Sequence, residues 1–178
     1  MIIREAAPYD IEKIKAVVKA AFYREGKDAQ FNEWEFTEKV TRDPGYLKPL
    51  CFVAVKKGKV VGYVLFSKAK IGNCEGLALG PIAVEPEFQR SGIGKRLIET
   101  GIRRAKGLGY DWVALLGGDY YLKFGFEAAQ PYGVILEENH PENAYVKINF
   151  LNENYCKQEV SGQLRFCDAF YNEKGELL

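Results

Sequence analysis

Pro81-Ile82-Ala83-Val84-Glu85-Pro86-Glu87-Phe88-Gln89-Arg90-Ser91-Gly92-Ile93-Gly94-Lys95 is the stretch on which the reading of this chain turns. An apolar run, a Glu85-Pro86 stop, a short polar loop and a renewed helical pattern predict strand, loop and helix N-terminus in succession. The first N–H groups of a helix lack partners within it and sit at the positive end of its dipole, so they attract anions. Glycine at 92 and 94 omits the Cβ atoms that would hold a phosphate away from the backbone. From Glu85 to Gly107 six bases stand against three acids, a local excess that suits an anionic ligand. Spacing excludes two common phosphate loops. Gly94-Lys95 is followed by Arg96 and position 89 is Gln89, so the Gly-x-x-x-x-Gly-Lys-Ser/Thr pattern fails. Leu97 stands where Gly-x-Gly-x-x-Gly requires its third glycine.

Downstream, Ile93, Leu97, Ile98, Ile102 and Ala105 fall on one face of a helix over Gly92–Lys106, which Gly107-Leu108-Gly109 closes. Trp112–Leu116 reads as a buried strand, Asp119–Phe124 as a short helix and Gly125-Phe126 as a turn. Tyr145–Phe150 and Gln163–Phe166 are further strands. Upstream, Gly76–Val84 is a strand interrupted at Gly80-Pro81; Pro81 has no N–H for a ladder, so the pair reads as a bulge. Cys51–Val55 and Val60–Phe66 flank a Lys56-Lys57-Gly58-Lys59 turn and form an antiparallel hairpin. Asp10 is expected to cap a helix carrying Ile11, Ile14, Val17, Val18, Ala21 and Phe22 on one face, and Asn32–Arg42 to form a second. This order predicts one α/β domain over residues 1–178. Its mixed sheet is antiparallel in the N-terminal strands and has a parallel crossover later.

A chain of 178 residues with 47% hydrophobic residues, 11 Phe and 11 Tyr has the makings of a packed core. Its net charge of +1 removes bulk attraction to nucleic acid or anionic membrane as a default role. Met1-Ile2-Ile3-Arg4-Glu5 lacks the basic-then-apolar order of a signal peptide, and no apolar run approaches the ~18 residues of a span. A cytoplasmic protein is expected. Cys51, Cys74, Cys156 and Cys167 are scattered and His140 is the single histidine, so neither a metal centre nor a Ser-His or Cys-His triad is expected.

Gln89-Arg90-Ser91-Gly92-Ile93-Gly94 resembles the Gln/Arg-x-x-Gly-x-Gly/Ala motif of the GNAT superfamily of N-acetyltransferases. The strand Gly80–Val84 before it, and Tyr121-Leu122-Lys123-Phe124-Gly125-Phe126 after it, fall where that family carries its other core motifs; together they span residues 76–129. The whole chain is similar to the YhbS-like subgroup of small bacterial acetyltransferases, the Gly162–Tyr171 segment included.

The resemblance implies a sheet flanked by helices, with a parallel pair of strands splayed at the cofactor site. It implies acetyl-CoA as co-substrate and no metal. The backbone of Ile82, Ala83 and Val84 would follow the pantetheine arm. Gln89, Arg90, Ser91, Gly92, Ile93, Gly94 and Lys95 would surround the pyrophosphate. Tyr121 would protonate the departing thiolate, the Ile82 N–H would face the oxyanion, and Glu75 would be the general base. Tyr120 is expected to point to another face of its short helix. An upstream Asn common in the family is replaced here by Gly117-Gly118-Asp119.

The acceptor would be an amine on a small molecule or peptide, bound between Phe22–Pro49 and residues 130–171. Aromatic residues there are Phe31, Trp34, Phe36, Tyr46, Tyr132, Tyr145, Phe170 and Tyr171; acids are Asp28, Glu33, Glu35, Glu38, Glu137 and Glu138. Neither nucleic acid nor membrane is implied, and the chain would act as a monomer or homodimer. A non-catalytic acyl-CoA-binding module stays open as the alternative.

Overall fold

The computed structural model describes residues 1–23 and 33–178. Among these, strand β1 (Ile2–Glu5) leads through a 3-10 turn into helix α1 (Ile11–Phe22), and α2 covers Glu33–Val40. Strands β2 (Tyr46–Lys56), β3 (Lys59–Ile71) and β4 (Cys74–Val84) follow as a meander. Helix α3 (Ile93–Gly107) then crosses to β5 (Trp112–Leu116). The short β6 (Glu127–Ala128) and β7 (Val134–Ile135) precede β8 (Val146–Phe150) and β9 (Gly162–Phe166). The sheet runs β1-β2-β3-β4-β5-β8-β6, and β4–β5 is its parallel pair, as the α3 crossover requires. The expected α/β architecture is present.

The β2–β3 hairpin is longer than its apolar centre suggested. Lys57 and Gly58 both carry positive φ (49° and 77°), the twist that a two-residue turn needs to join right-twisted strands. Where β2 ends, at the Tyr46↔Ser67 pair, β9 takes its place beside β3, pairing Ala69 with Phe166 and Ile71 with Leu164. The C-terminal segment thus completes the sheet.

Asp10 does not bond the first turn of α1. It is fully buried and takes two hydrogen bonds from Arg4, at 2.6 and 2.9 Å, and one from the Ala7 N–H at 2.8 Å. The Arg4 bonds hold its carboxyl below the usual range, against burial that pushes it up. Its work is to fix the exit of β1, not to cap the helix.

The helices divide between the two faces of the sheet. Ile14, Val17 and Val18 of α1 and Phe36 and Val40 of α2 pack on Cys51, Val53, Tyr63, Leu65 and Ala83. On the other face Ile93, Leu97, Ile98 and Ala105 of α3 pack on Phe52, Ala54, Val64, Phe66 and Leu115. Helix α3 sits close because two positions lack a Cβ. One built at Gly62 would lie 3.0 Å from Ile93 and Leu97, and one at Gly101 only 1.9 Å from the buried ring of Phe66. Carbon atoms rest at ~3.5–4.0 Å, so an alanine at 101 forces ring or helix to move. Overpacking of this kind costs ~1–3 kcal/mol, against which the better helix propensity of alanine returns ~1 kcal/mol. The net cost is ~1 kcal/mol, so Gly101→Ala is expected to lower Tm by about 2–4 °C for a chain of this size, measured by circular dichroism. An unchanged or higher Tm would show that the Phe66 ring repacks freely.

Candidate active site

Strand β4 changes partner halfway along. Its parallel ladder with β5 holds only Leu77↔Val113 and Ala78↔Ala114, while β4 continues beside β3 to Val84↔Gly62. Strand β5 meanwhile continues beside β8 to Leu116↔Val146. The two parallel strands separate beyond Ala78. The cause lies in Gly80-Pro81, which stand together opposite the single residue Leu65: β3 pairs Val64 with Ile82 and Phe66 with Leu79. That is a bulge, and it bends β4 away from β5.

The bulge leaves backbone groups facing the gap. The Glu85 N–H donates to the Val61 carbonyl at 2.9 Å. Because an antiparallel ladder alternates, Ala83 also turns its N–H and C=O to β3, and Ile82 and Val84 turn theirs into the opening. The Val84 carbonyl accepts from the Gln89 side-chain amide at 3.0 Å, so one of these groups is used to fold the loop back.

The loop ends at the start of α3 with Gly92 at φ 83°, a left-handed conformation that glycine adopts without Cβ strain. Arg90 takes the same region at φ 60°. The first bond inside the helix is Arg96 N–H to the Gly92 carbonyl, 3.1 Å, which leaves the N–H groups of Ile93, Gly94 and Lys95 ahead of it. No side chain caps this end and no acid lies in its first turn. A cavity of about 360 Å³ joins the loop to the strand, lined by Ile82, Ala83, Val84, Phe88, Gln89, Arg90, Gly92, Gly94, Lys95 and Tyr120.

Most of the expected cofactor residues therefore meet in one place, with distinct parts. Ile93 buries its side chain in the core and offers only backbone. The Ser91 hydroxyl donates back to the Phe88 carbonyl, so it shapes the loop and does not cap the helix. Tyr121 lies in the 3-10 turn that follows β5, its ring against Gly117 and edge-on to Phe126. Burial, with a smaller contribution from Tyr120, pushes its phenol above the usual range and keeps it protonated. Tyr120 does turn to another face than Tyr121, and that face lines the cavity, whereas Tyr121 is not among the residues that line it.

Glu75 is not brought to the site. It occupies the opposite end of β4, seven residues before Ile82 or ~23 Å along an extended strand. There it is exposed and 3.6 Å from Lys70. The reading failed because a strand's order in sequence does not say at which end the sheet opens.

The acceptor residues are dispersed. Asp28 and Phe31 lie outside the described residues. Phe36 and Phe170 pack edge to face, Tyr132 bonds Glu127, and Tyr145 is exposed. Glu38 and Tyr46 line a second cavity of about 360 Å³ between α1, α2 and the sheet, whose wall includes Cys51 and Tyr63. Glu38 is already paired with Lys15 (3.2 Å) and Arg42 (2.9 Å). Burial pushes the Cys51 and Cys167 thiols up to about 11, which leaves both as poor nucleophiles at neutral pH. No helix among the described residues is long and apolar enough to cross a membrane.

Comparison with known proteins agrees with this architecture. Residues 48–128, which hold the β2–β4 meander, the glycine loop, α3, β5 and the tyrosine turn, match the acetyltransferase (GNAT) domain. YjhQ of Escherichia coli K12, an N-acetyltransferase by name, is 36% identical over 100 residues. That match takes in 53% of this chain and 55% of YjhQ, so the aligned stretch spans about half of that relative. YhbS of the same organism, also named an N-acetyltransferase, is 26% identical over 132 residues, 72% of this chain and 75% of YhbS. The YhbS crystal structure in complex with CoA superposes with a TM-score of 0.82 at 24% identity, covering 95% of this chain and 91% of that one. A GNAT family acetyltransferase from Brucella melitensis in complex with acetyl-CoA gives 0.75 at 28% identity, covering 95% and 97%. The matched segment falls on the splayed strands and the loop between them, so residues 48–128 match a GNAT acetyltransferase domain and the chain as a whole shares the fold of GNAT acetyltransferases.

Proposed function

We propose that this chain transfers the acetyl group of acetyl-CoA to a primary amine of a small molecule or peptide. The observation that carries the reading is the opening between β4 and β5, which runs directly into the uncapped N-terminus of α3. The Ile82 carbonyl and the Val84 N–H offer a pantetheine arm the ladder bonds that β5 no longer takes. The N–H groups of Ile93, Gly94 and Lys95 receive the diphosphate. Relatives of the same fold crystallised with CoA and acetyl-CoA support the choice of ligand.

Transfer proceeds by direct attack. The amine nitrogen bonds the thioester carbon, the carbonyl π pair moves to oxygen, and that oxyanion faces the Ile82 N–H. Collapse restores the carbonyl and breaks the C–S bond, with the Tyr121 proton going to sulfur, while the proton shed by the nitrogen passes to water, from which Tyr121 is reprotonated. A route through an acetylated Cys51 or Cys167 is disfavoured by the raised pKa of both thiols. The same reading takes residues 1–178 as one acetyltransferase domain, acting in the cytoplasm as monomer or homodimer without metal, nucleic acid or membrane.

The test is release of free CoA thiol from acetyl-CoA across a panel of polyamines, aminoglycosides, amino acids and peptide N-termini. At least one amine is expected to accelerate release well above hydrolysis. Acetyl-CoA binding with no amine-dependent release on any of them would make the chain a binding module.

A further inference from the structure

Tyr120 and Tyr121 are adjacent in the 3-10 turn Asp119–Phe124 and face different surroundings. Tyr121 turns into the core beside Gly117, whereas Tyr120 is 50% exposed. The Tyr120 hydroxyl reaches over the first turn of α3, where a Cβ at Gly94 would lie 3.7 Å from it. Its ring is held by edge contacts to Tyr121 and Phe124, with centroids 5.3 and 5.5 Å away, and by the Lys123 ammonium 4.0 Å from its own centroid. The position is fixed by packing on three sides. It also closes the cavity whose other wall is Ile82–Val84 and whose floor is the loop.

A phenol at neutral pH is a hydrogen-bond donor. Beside N–H groups at the positive end of a 15-residue helix, the ligand atom it meets is the one those groups attract. Building on the acetyl-CoA site proposed above, we propose that Tyr120 is a binding residue whose hydroxyl donates a hydrogen bond to the cofactor's diphosphate. Tyr121, one residue on, is left to the chemistry at sulfur. The adjacent tyrosines thus divide binding from turnover.

Tyr120→Phe keeps the ring contacts and removes only the donor, so Tm should not move. Kinetics are compared with acetyl-CoA and with S-acetylpantetheine, which carries the thioester and no diphosphate. A hydrogen bond to a charged oxygen predicts about a tenfold loss in acetyl-CoA affinity and kcat/KM, with kcat within about twofold. With S-acetylpantetheine, kcat/KM should be unchanged. Equal losses with both donors, a fall in kcat at constant affinity, or no change with either would each overturn the assignment. Calorimetry on Gly94→Val separates the two levels of inference. If that variant loses acetyl-CoA while Tyr120→Phe does not, the loop site stands and the role of Tyr120 falls. If the wild-type chain does not bind acetyl-CoA, both fall.

Discussion

Tyr121→Phe is expected to lower kcat by about 100-fold or more, while acetyl-CoA affinity and Tm stay close to wild type. The ring lies against Gly117 and edge-on to Phe126, contacts that phenylalanine reproduces. What is lost is one proton. A departing thiolate has a conjugate acid near pKa ~8.5, and a phenol held above ~10 is still loaded with its proton at neutral pH. Because burial raises this phenol, the acid limb of the reaction should stay active as pH rises through neutrality and fail only above the usual tyrosine range. In the Phe variant that limb should vanish from the kcat profile. A kcat within about threefold of wild type, with saturating amine, would remove Tyr121 from the mechanism. A matching loss for Tyr120→Phe alone would transfer the role to its neighbour.

How far the site could be read from sequence depends on the range of the interaction. Gly92, Gly94 and the strand before them were legible because strand end, loop and helix start are consecutive, and each leaves a local mark. Gly80-Pro81 was legible for the same reason: a missing N–H is a property of one residue. The Tyr120–Tyr121 division was not. A single turn places neighbours on different faces, but which face meets Gly94 depends on how β5, which begins 32 residues after Gly80, lies against α3. The end of the strand at which Glu75 lies relative to the opening is equally non-local.

The sheet shows the same limit. The early hairpin announced itself through β-branched and aromatic residues, yet its extension through Lys68 and Lys70 was missed. Those lysines alternate with buried Ser67, Ala69 and Ile71, a half-exposed strand pattern carrying few strong strand formers. Strand β9 pairs with β3 across some ninety residues, and nothing near Gly162 names that partner. Asp10 read as a cap because its type and position suit one; the Arg4 side chain that claims it comes from the preceding strand.

Gly94→Val should weaken acetyl-CoA binding by about 100-fold or more, equivalent to ~2.7 kcal/mol, with the fold intact. At Gly94 a first added carbon finds ordinary contacts, 3.7 Å from the Tyr120 hydroxyl and 3.8 Å from Val84 Cγ2. Alanine therefore fits the protein, and Gly94→Ala is the control for folding. The two further methyl-sized groups of valine extend into the cavity itself, where the diphosphate approaches the N–H groups of Gly94 and Lys95. Gly92→Val reaches the same end by another route. No atom lies within 4 Å of a Cβ there, so space is not the obstacle. The obstacle is φ 83°, where a β-branched residue is strained by ~1–2 kcal/mol or more. The loop must turn to relieve it and takes the helix end out of register. Arg90 is an exposed charge on the rim, worth ~1 kcal/mol or less, so Arg90→Ala should cost only a few-fold. Calorimetry on the three variants ranks backbone against side chain. A larger loss for Arg90→Ala than for either valine variant would mean that charge, and not the exposed N–H groups of α3, holds the cofactor.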